Sequence, residues 1–261
     1  MTDVPEWLGL VQYSEHHWSF ELTSPLGRGD GKLYGGTGLA AVVALQEIVT
    51  GRDALWTTVQ FAGSANPGDR LDCEVEVLAE GRRNSQLRVT VRVNDMIVLA
   101  ALGAAGVHTD SPLQVQVPTM PVVPDPDHSN EWFGRMQNPN PGRRGWAELC
   151  EMRQVDVPDN AFMMWGRMRN QPVSRPALAF MADFVPVSVA RAGGAPGAGI
   201  SLDNSMRFGR LVETDWVLYD FDPLLATGGY LHGGVRVWAQ DGTLLGYASQ
   251  TAAGFIPVAN A

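Results

Sequence analysis

Cysteine is almost absent from this chain of 261 residues, which carries only Cys73 and Cys150. Two thiols without a CxxC spacing or close histidine partners argue against both a structural zinc site and a disulfide scaffold. They fit free thiols in a reducing, cytoplasmic compartment. Basic residues are also short: 19 Lys and Arg stand against 28 Asp and Glu, a formal net charge of −9. That balance excludes a sequence-independent grip on nucleic-acid phosphate. Long apolar runs are missing too. The longest small or apolar stretch, Met96 to Val107, falls well short of the roughly 20 residues that span a bilayer. Met1 to Leu10 lacks the basic start and apolar stretch of a signal peptide, so the chain reads as soluble. The five histidines, His16, His17, His108, His128 and His232, show no metal-ligand spacing. No Gly-x-Ser-x-Gly turn is present, which disfavours an acyl-enzyme on serine. What is there is an ordinary globular composition, 45% hydrophobic and 18% charged, with ample material for one large domain or two of about 130 residues.

The chain repeats itself. His16-His17-Trp18-Ser19-Phe20 lies against Met163-Met164-Trp165-Gly166-Arg167, with the two tryptophans 147 positions apart. The same shift carries Phe61 onto Phe208, and a shift of 146 carries the turn Asn94-Asp95 onto Gln240-Asp241. Three anchors within one residue of a common offset predict a duplicated unit.

Each half gives the same order: a strand or two, one very apolar helix, then several strands joined by tight turns. The first helix is expected over Leu39–Val49, with Thr37 as N-cap and Gly51 as the C-terminal stop. It is apolar nearly all round and needs cover on most sides. Leu71, Cys73, Val75 and Val77 alternate with Asp72, Glu74 and Glu76, and Leu87, Val89, Val91 and Val93 with Arg88, Thr90 and Arg92. These are half-buried antiparallel strands that supply the cover. The second half places its helix over Ala177–Val185 and strands over Trp216–Phe221 and Gly234–Ala239. The expected fold class is α+β: a tandem hotdog, two antiparallel sheets each wrapped around a long apolar helix. Between the halves, Thr109 to Gly142 holds seven of the seventeen prolines and reads as a strap. The organisation expected is therefore an N-terminal unit over 1–108, a proline-rich linker over 109–142 and a C-terminal unit over 143–261.

Asp183 stands out, because it is the acid in an otherwise apolar run. A carboxylate is costly to bury unpaired. Either the helix kinks at Pro186 and Asp183 reaches solvent or caps an amide, or the residue is a carboxylate tuned in a crevice for general-base work. The offset of 147 sets Gly36 opposite Asp183 and Ala54 opposite Ser201, and the offset of 146 sets Ala104 opposite Gln250. One half thus has three polar groups where its twin has Gly, Ala and Ala. Singly, a strand serine or glutamine is usually a satisfied ladder group; together they point to a single site per chain.

Gly35-Gly36, Pro67-Gly68-Asp69, Ala182-Asp183-Phe184, the run Ser201 to Phe208, Trp216-Val217-Leu218-Tyr219 and Ala239-Gln240-Asp241-Gly242 resemble the double-hotdog acyl-CoA thioesterases of the thioesterase II type. The likeness runs from about Tyr13 to Phe255. It implies hydrolysis of a fatty or related acyl-CoA by a water that an Asp, a Thr and a Gln orient, roles that fall on Asp183, Ser201 and Gln250. Ser201 departs from the family's Thr, keeping the hydroxyl. Gly209 departs where relatives commonly carry a histidine. Gly35 and Gly36 would let substrate approach the start of the buried helix, whose amides are natural oxyanion donors; tight helix packing also explains such glycines. Coenzyme A, as part of the substrate, would need local cations, for which Arg82-Arg83 and Arg143-Arg144 are the candidates. No metal or redox cofactor is implied, and assembly into a homo-oligomer is. The rival readings are a non-catalytic acyl-thioester-binding protein and a hotdog hydratase or dehydratase, the latter disfavoured because no Asp and His pair opens either helix.

Overall fold

The computed structural model describes residues 5–109, 111–132, 145–157, 161–195 and 199–254. The first half contains β1 (Val11–Ser14), β2 (His17–Glu21), α1 (Gly35–Thr50), β3 (Asp53–Phe61), β4 (Arg70–Glu80), β5 (Asn84–Val93) and β6 (Met96–Gly106). A short β7 (Asn130–Glu131) follows, then β8 (Cys150–Gln154), β9 (Phe162–Met168), α2 (Arg175–Met181), α3 (Val185–Ala192), β10 (Gly199–Phe208), β11 (Val217–Thr227), β12 (Tyr230–Ala239) and β13 (Leu244–Gly254).

The hotdog architecture holds, but the two expected sheets are one. The strand order is β1-β2-β4-β5-β6-β3-β10-β13-β12-β11-β9-β8-β7, a near-palindrome whose centre is the antiparallel pair β3–β10. Pairing these strands removes the free edge each half would otherwise expose. Thr58 and Ser205, 147 residues apart, face each other in that pair with their hydroxyls at 2.8 Å, so a pseudo-two-fold passes between them.

α1 begins four residues earlier than the sequence predicts. Tyr34 holds the N-cap position, and Thr37 is wholly buried inside the first turn, donating from Oγ1 to the Leu26 carbonyl at 2.8 Å. Gly51 ends the helix in the left-handed conformation, as expected, with its N–H on the Glu47 carbonyl. Every residue from Gly36 to Glu47 is buried, because strands wrap one side of α1 and α2 packs on another.

The single helix expected over Ala177–Val185 is split. Proline cannot donate an N–H and belongs in a first turn, so a new helix, α3, starts with Pro186 in that place. The chain between α2 and α3, Ala182 to Phe184, carries Asp183 out of the helical path. By the offset of 147, α3 is the counterpart of α1. The strap is also more than a spacer. Trp165 donates from Nε1 to the Pro124 carbonyl at 2.9 Å, and Met120 and Val123 pack on the buried group Val155, Trp165, Trp216, Leu218 and Trp238. The strap covers apolar surface on the second half that would otherwise meet water.

Candidate active site

Asp183 lies where the two halves meet. Its Oδ2 accepts the Gly36 N–H at 2.8 Å, at the N-terminus of α1. Its Oδ1 accepts from Gln250 Nε2 at 2.5 Å and from Asn204 Nδ2 at 3.3 Å. Gln250 Nε2 also donates to Ser201 Oγ at 2.7 Å. The structure therefore brings Asp183, Ser201 and Gln250 together, joined through one amide, and adds Asn204, which the sequence reading passed over.

A bulge sets this geometry. The register of β10 on β13 shifts between Ser201 and Asp203. Alternation alone would put Ser201 on the face opposite Asn204; the extra residue, Leu202, returns Ser201 to the inner face with Asn204 and Gln250. β3 carries the same shift between Ala54 and Trp56, 147 residues earlier.

The register also corrects the pairing of the halves. Asn204 faces Gln250 as Thr57 faces Gly103, so the counterpart of Gln250 is Gly103 rather than Ala104, and the offset of 147 holds through β13. The twin of the polar set is Gly36, Ala54, Thr57 and Gly103. There α1 supplies a glutamine of its own: Thr57 Oγ1 donates to Gln46 Oε1 at 2.6 Å. A Cβ on Gly103 would lie 1.8 Å from Gln46 Nε2, so Gln46 fills the room a strand side chain would need.

Asp183 is 9% exposed, and burial pushes its pKa up to about 6. The Gln250, Gly36 and Asn204 donors, and Arg28 at longer range, hold it from rising further. Charge at a helix N-terminus is favoured by the same end of α1 that donates the N–H. A carboxylate in that state is ionised at neutral pH yet basic enough to take a proton.

Asp183 and Ser201 open on a cleft of about 220 Å³ lined also by Leu33, Tyr34, Phe61, Trp146 and Phe184. The Tyr34 hydroxyl, Gln250 Oε1 and Asn204 Oδ1 are buried polar atoms with no partner among the described residues. Burial raises the Tyr34 pKa, so its phenol is a donor at neutral pH. A hollow of about 490 Å³, lined by Trp7, Ala44, Glu47, Ile48, Ser174 and Pro176, lies along the later turns of α1 and contains none of the site residues.

The glycines behave differently from expectation. The Gly36 N–H is committed to Asp183 and is not free for an oxyanion. A Cβ on Gly36 would sit 2.2 Å from the Phe180 carbonyl oxygen, and one on Gly35 would sit 2.5 Å from Asp183 Oδ2. Both are glycine so that α2 and the carboxylate can approach α1 closely. Gly35 also lines the cleft, and its N–H belongs to the first turn, which has no intrahelical acceptor.

Arg82 and Arg83 occupy the β4–β5 turn, which Arg52, just beyond the C-terminus of α1, grips through the Gly81 carbonyl. That end is about 24 Å from the Gly35 end of a 16-residue helix. Arg143 and Arg144 lie outside the described residues. Arg28 is the basic residue of the described cleft lining, paired with Asp30 at 2.6 Å. Among the described residues no group of three His, Cys, Asp or Glu is placed to hold a metal, and no helix is long and apolar enough to cross a membrane.

Residues 22–106 match the family model of the acyl-CoA thioesterase N-terminal domain, and residues 114–253 that of the acyl-CoA thioesterase C-terminal domain. The chain belongs to the acyl-CoA thioesterase family. It is a thioester hydrolase. Among solved structures the thioesterase is similar to a provisionally assigned thioesterase from Novosphingobium aromaticivorans, with 27% identity, TM-score 0.84, and 94% of this chain and 98% of that one covered. It is also similar in fold to a TesB protein of Mycobacterium avium subspecies paratuberculosis, at 24% identity and TM-score 0.79 over 98% of each chain. An acyl-CoA thioesterase II of Mycobacterium marinum shares the fold at 19% identity and TM-score 0.77, over 98% of this chain and 99% of that one. No curated protein matches the thioesterase in sequence.

Proposed function

We propose that the thioesterase hydrolyses an acyl-CoA by direct water attack, with Asp183 as general base and Ser201 and Gln250 holding the water. The observation that carries this reading is the shared amide: Gln250 Nε2 ties Asp183 to Ser201 at the wall of a cleft. Because Ser201 Oγ accepts from Gln250, its own proton is free to be donated to a water lying between Ser201 and Asp183. That water has its lone pair turned to the thioester carbonyl and a proton turned to Asp183. As the C–O bond forms, that proton passes to Asp183; as the C–S bond breaks, it is returned to the departing thiolate, giving free acid and coenzyme A. The developing oxyanion is served by the Gly35 N–H with the positive end of α1. Cysteine chemistry is no competitor, since burial pushes both thiols well above their usual range.

The test is thiol release from purified protein and a panel of acyl-CoA thioesters. Asp183→Asn keeps its fold and acyl-CoA binding and loses about a hundredfold or more in kcat. Unchanged hydrolysis by that variant removes Asp183 from the chemistry. Wild-type protein that binds acyl-CoA and releases no thiol establishes the acyl-thioester-binding reading instead.

A further inference from the structure

The cleft fixes the size and kind of acyl group, a step that rests on the hydrolytic reading above. Its volume of about 220 Å³ compares with the roughly 150 Å³ of a protein cavity that takes one benzene ring. A thioester unit and one ring fit within it. The walls are aromatic and stiff. Tyr34 and Trp146 are stacked, with ring centroids 5.5 Å apart, and Phe184 meets Trp146 edge-on at 4.7 Å. Trp132 stands behind them, 5.3 Å from Phe184 and at a steep angle to it. These four rings are at most 8% exposed, so this wall is backed by packed core. Phe61, Leu33 and Pro186 add further apolar surface. Methionine, the side chain that lets a lipid pocket reshape itself, is missing from the described lining; Met164 and Met181 are buried in the core.

We infer that the acyl group is compact and aromatic, of about the size of a benzoyl or phenylacetyl unit, held with its ring among Tyr34, Trp146 and Phe184. Rings prefer the offset and edge-on contacts that such a wall offers. This narrows the fatty acyl group expected from the sequence.

The experiment is a comparison of kcat/KM for acetyl-, hexanoyl-, phenylacetyl-, benzoyl- and dodecanoyl-CoA, read as thiol release by the purified wild-type protein. The expected order puts the aromatic thioesters highest, with dodecanoyl-CoA lower by about tenfold or more. Trp146→Ala opens the wall and moves the dodecanoyl to phenylacetyl ratio upward by about fivefold or more. Since that variant also loses core packing, Val187→Phe is the second probe: it narrows the cleft and lowers phenylacetyl turnover more than acetyl turnover. Wild-type activity on dodecanoyl-CoA equal to or above that on phenylacetyl-CoA, or ratios unmoved in both variants, overturns the inference while leaving hydrolysis intact. Hydrolysis of no thioester in the panel overturns the hydrolytic reading itself, and this inference with it.

Discussion

A carboxylate taken out of water raises the free energy of its charged form, and at Asp183 three N–H donors offset that cost without cancelling it. The balance is visible as a pKa of about 6 rather than 4. Position is as important as basicity, because Oδ2 reaches α1 only over the bare backbone of Gly35 and Gly36. Gly35→Ala would put a methyl 2.5 Å from Oδ2 and push the carboxylate aside. The expected result is a fall in kcat/KM of about a hundredfold with a native circular-dichroism spectrum, measured by thiol release; wild-type rates in this variant would show that the close approach is dispensable. Asp183 was legible in the sequence because charge inside an apolar run is costly. Asn204 was not: asparagine is depleted from strands and the run around it reads as a partly polar strand, so its complete burial comes only from its place opposite Gln250. Oxyanion donation and tight packing both explain glycines at a helix start, and the sequence does not show the acceptor that reaches the Gly36 N–H from 147 residues away.

Among the elements, the break between α2 and α3 places Asp183. Pro186 signalled a kink, yet the apolar run across it hid the restart, and the bulge at Leu202 left no mark because it interrupts a strand whose alternation is already weak. α2 is fixed to the first half by Arg175, 6% exposed, which pairs with Glu47 at 3.3 Å and with Asp53 at 3.0 Å. Burial raises the pKa of Glu47, against the pull of the Ala54 N–H and of Arg175. Removing the cation leaves a buried acid without its counter-charge. Arg175→Ala is therefore expected to cost about 3 kcal/mol or more, seen as a lower urea midpoint, and the loss shrinks as pH is lowered and Glu47 takes up a proton. A midpoint unchanged at pH 8 would mean that α2 is held by packing alone.

The described sheet is continuous, with a pseudo-two-fold at Thr58 and Ser205 and the polar set Asp183, Ser201, Asn204 and Gln250 on one side of it. Duplication, the hotdog class and the inequality of the halves were all legible, since they rest on offsets and alternation. The joining of the sheets was not, because edge pairing between β3 and β10 is a long-range choice that no local pattern encodes. The site needs both halves: Gly36 comes from the first, while Asp183, Ser201, Asn204 and Gln250 come from the second. On the proposed mechanism the intact enzyme works through one buried base, Asp183. Only the ionised carboxylate can accept a proton, so activity must be lost as pH falls through its folded pKa. The most direct measurement is kcat/KM for a hydrolysed acyl-CoA between pH 4.5 and 8.5, which reports the free enzyme's base. The expected profile is a plateau above a bend at about 6 and a tenfold fall per unit below it. A rate independent of pH across that range would contradict it.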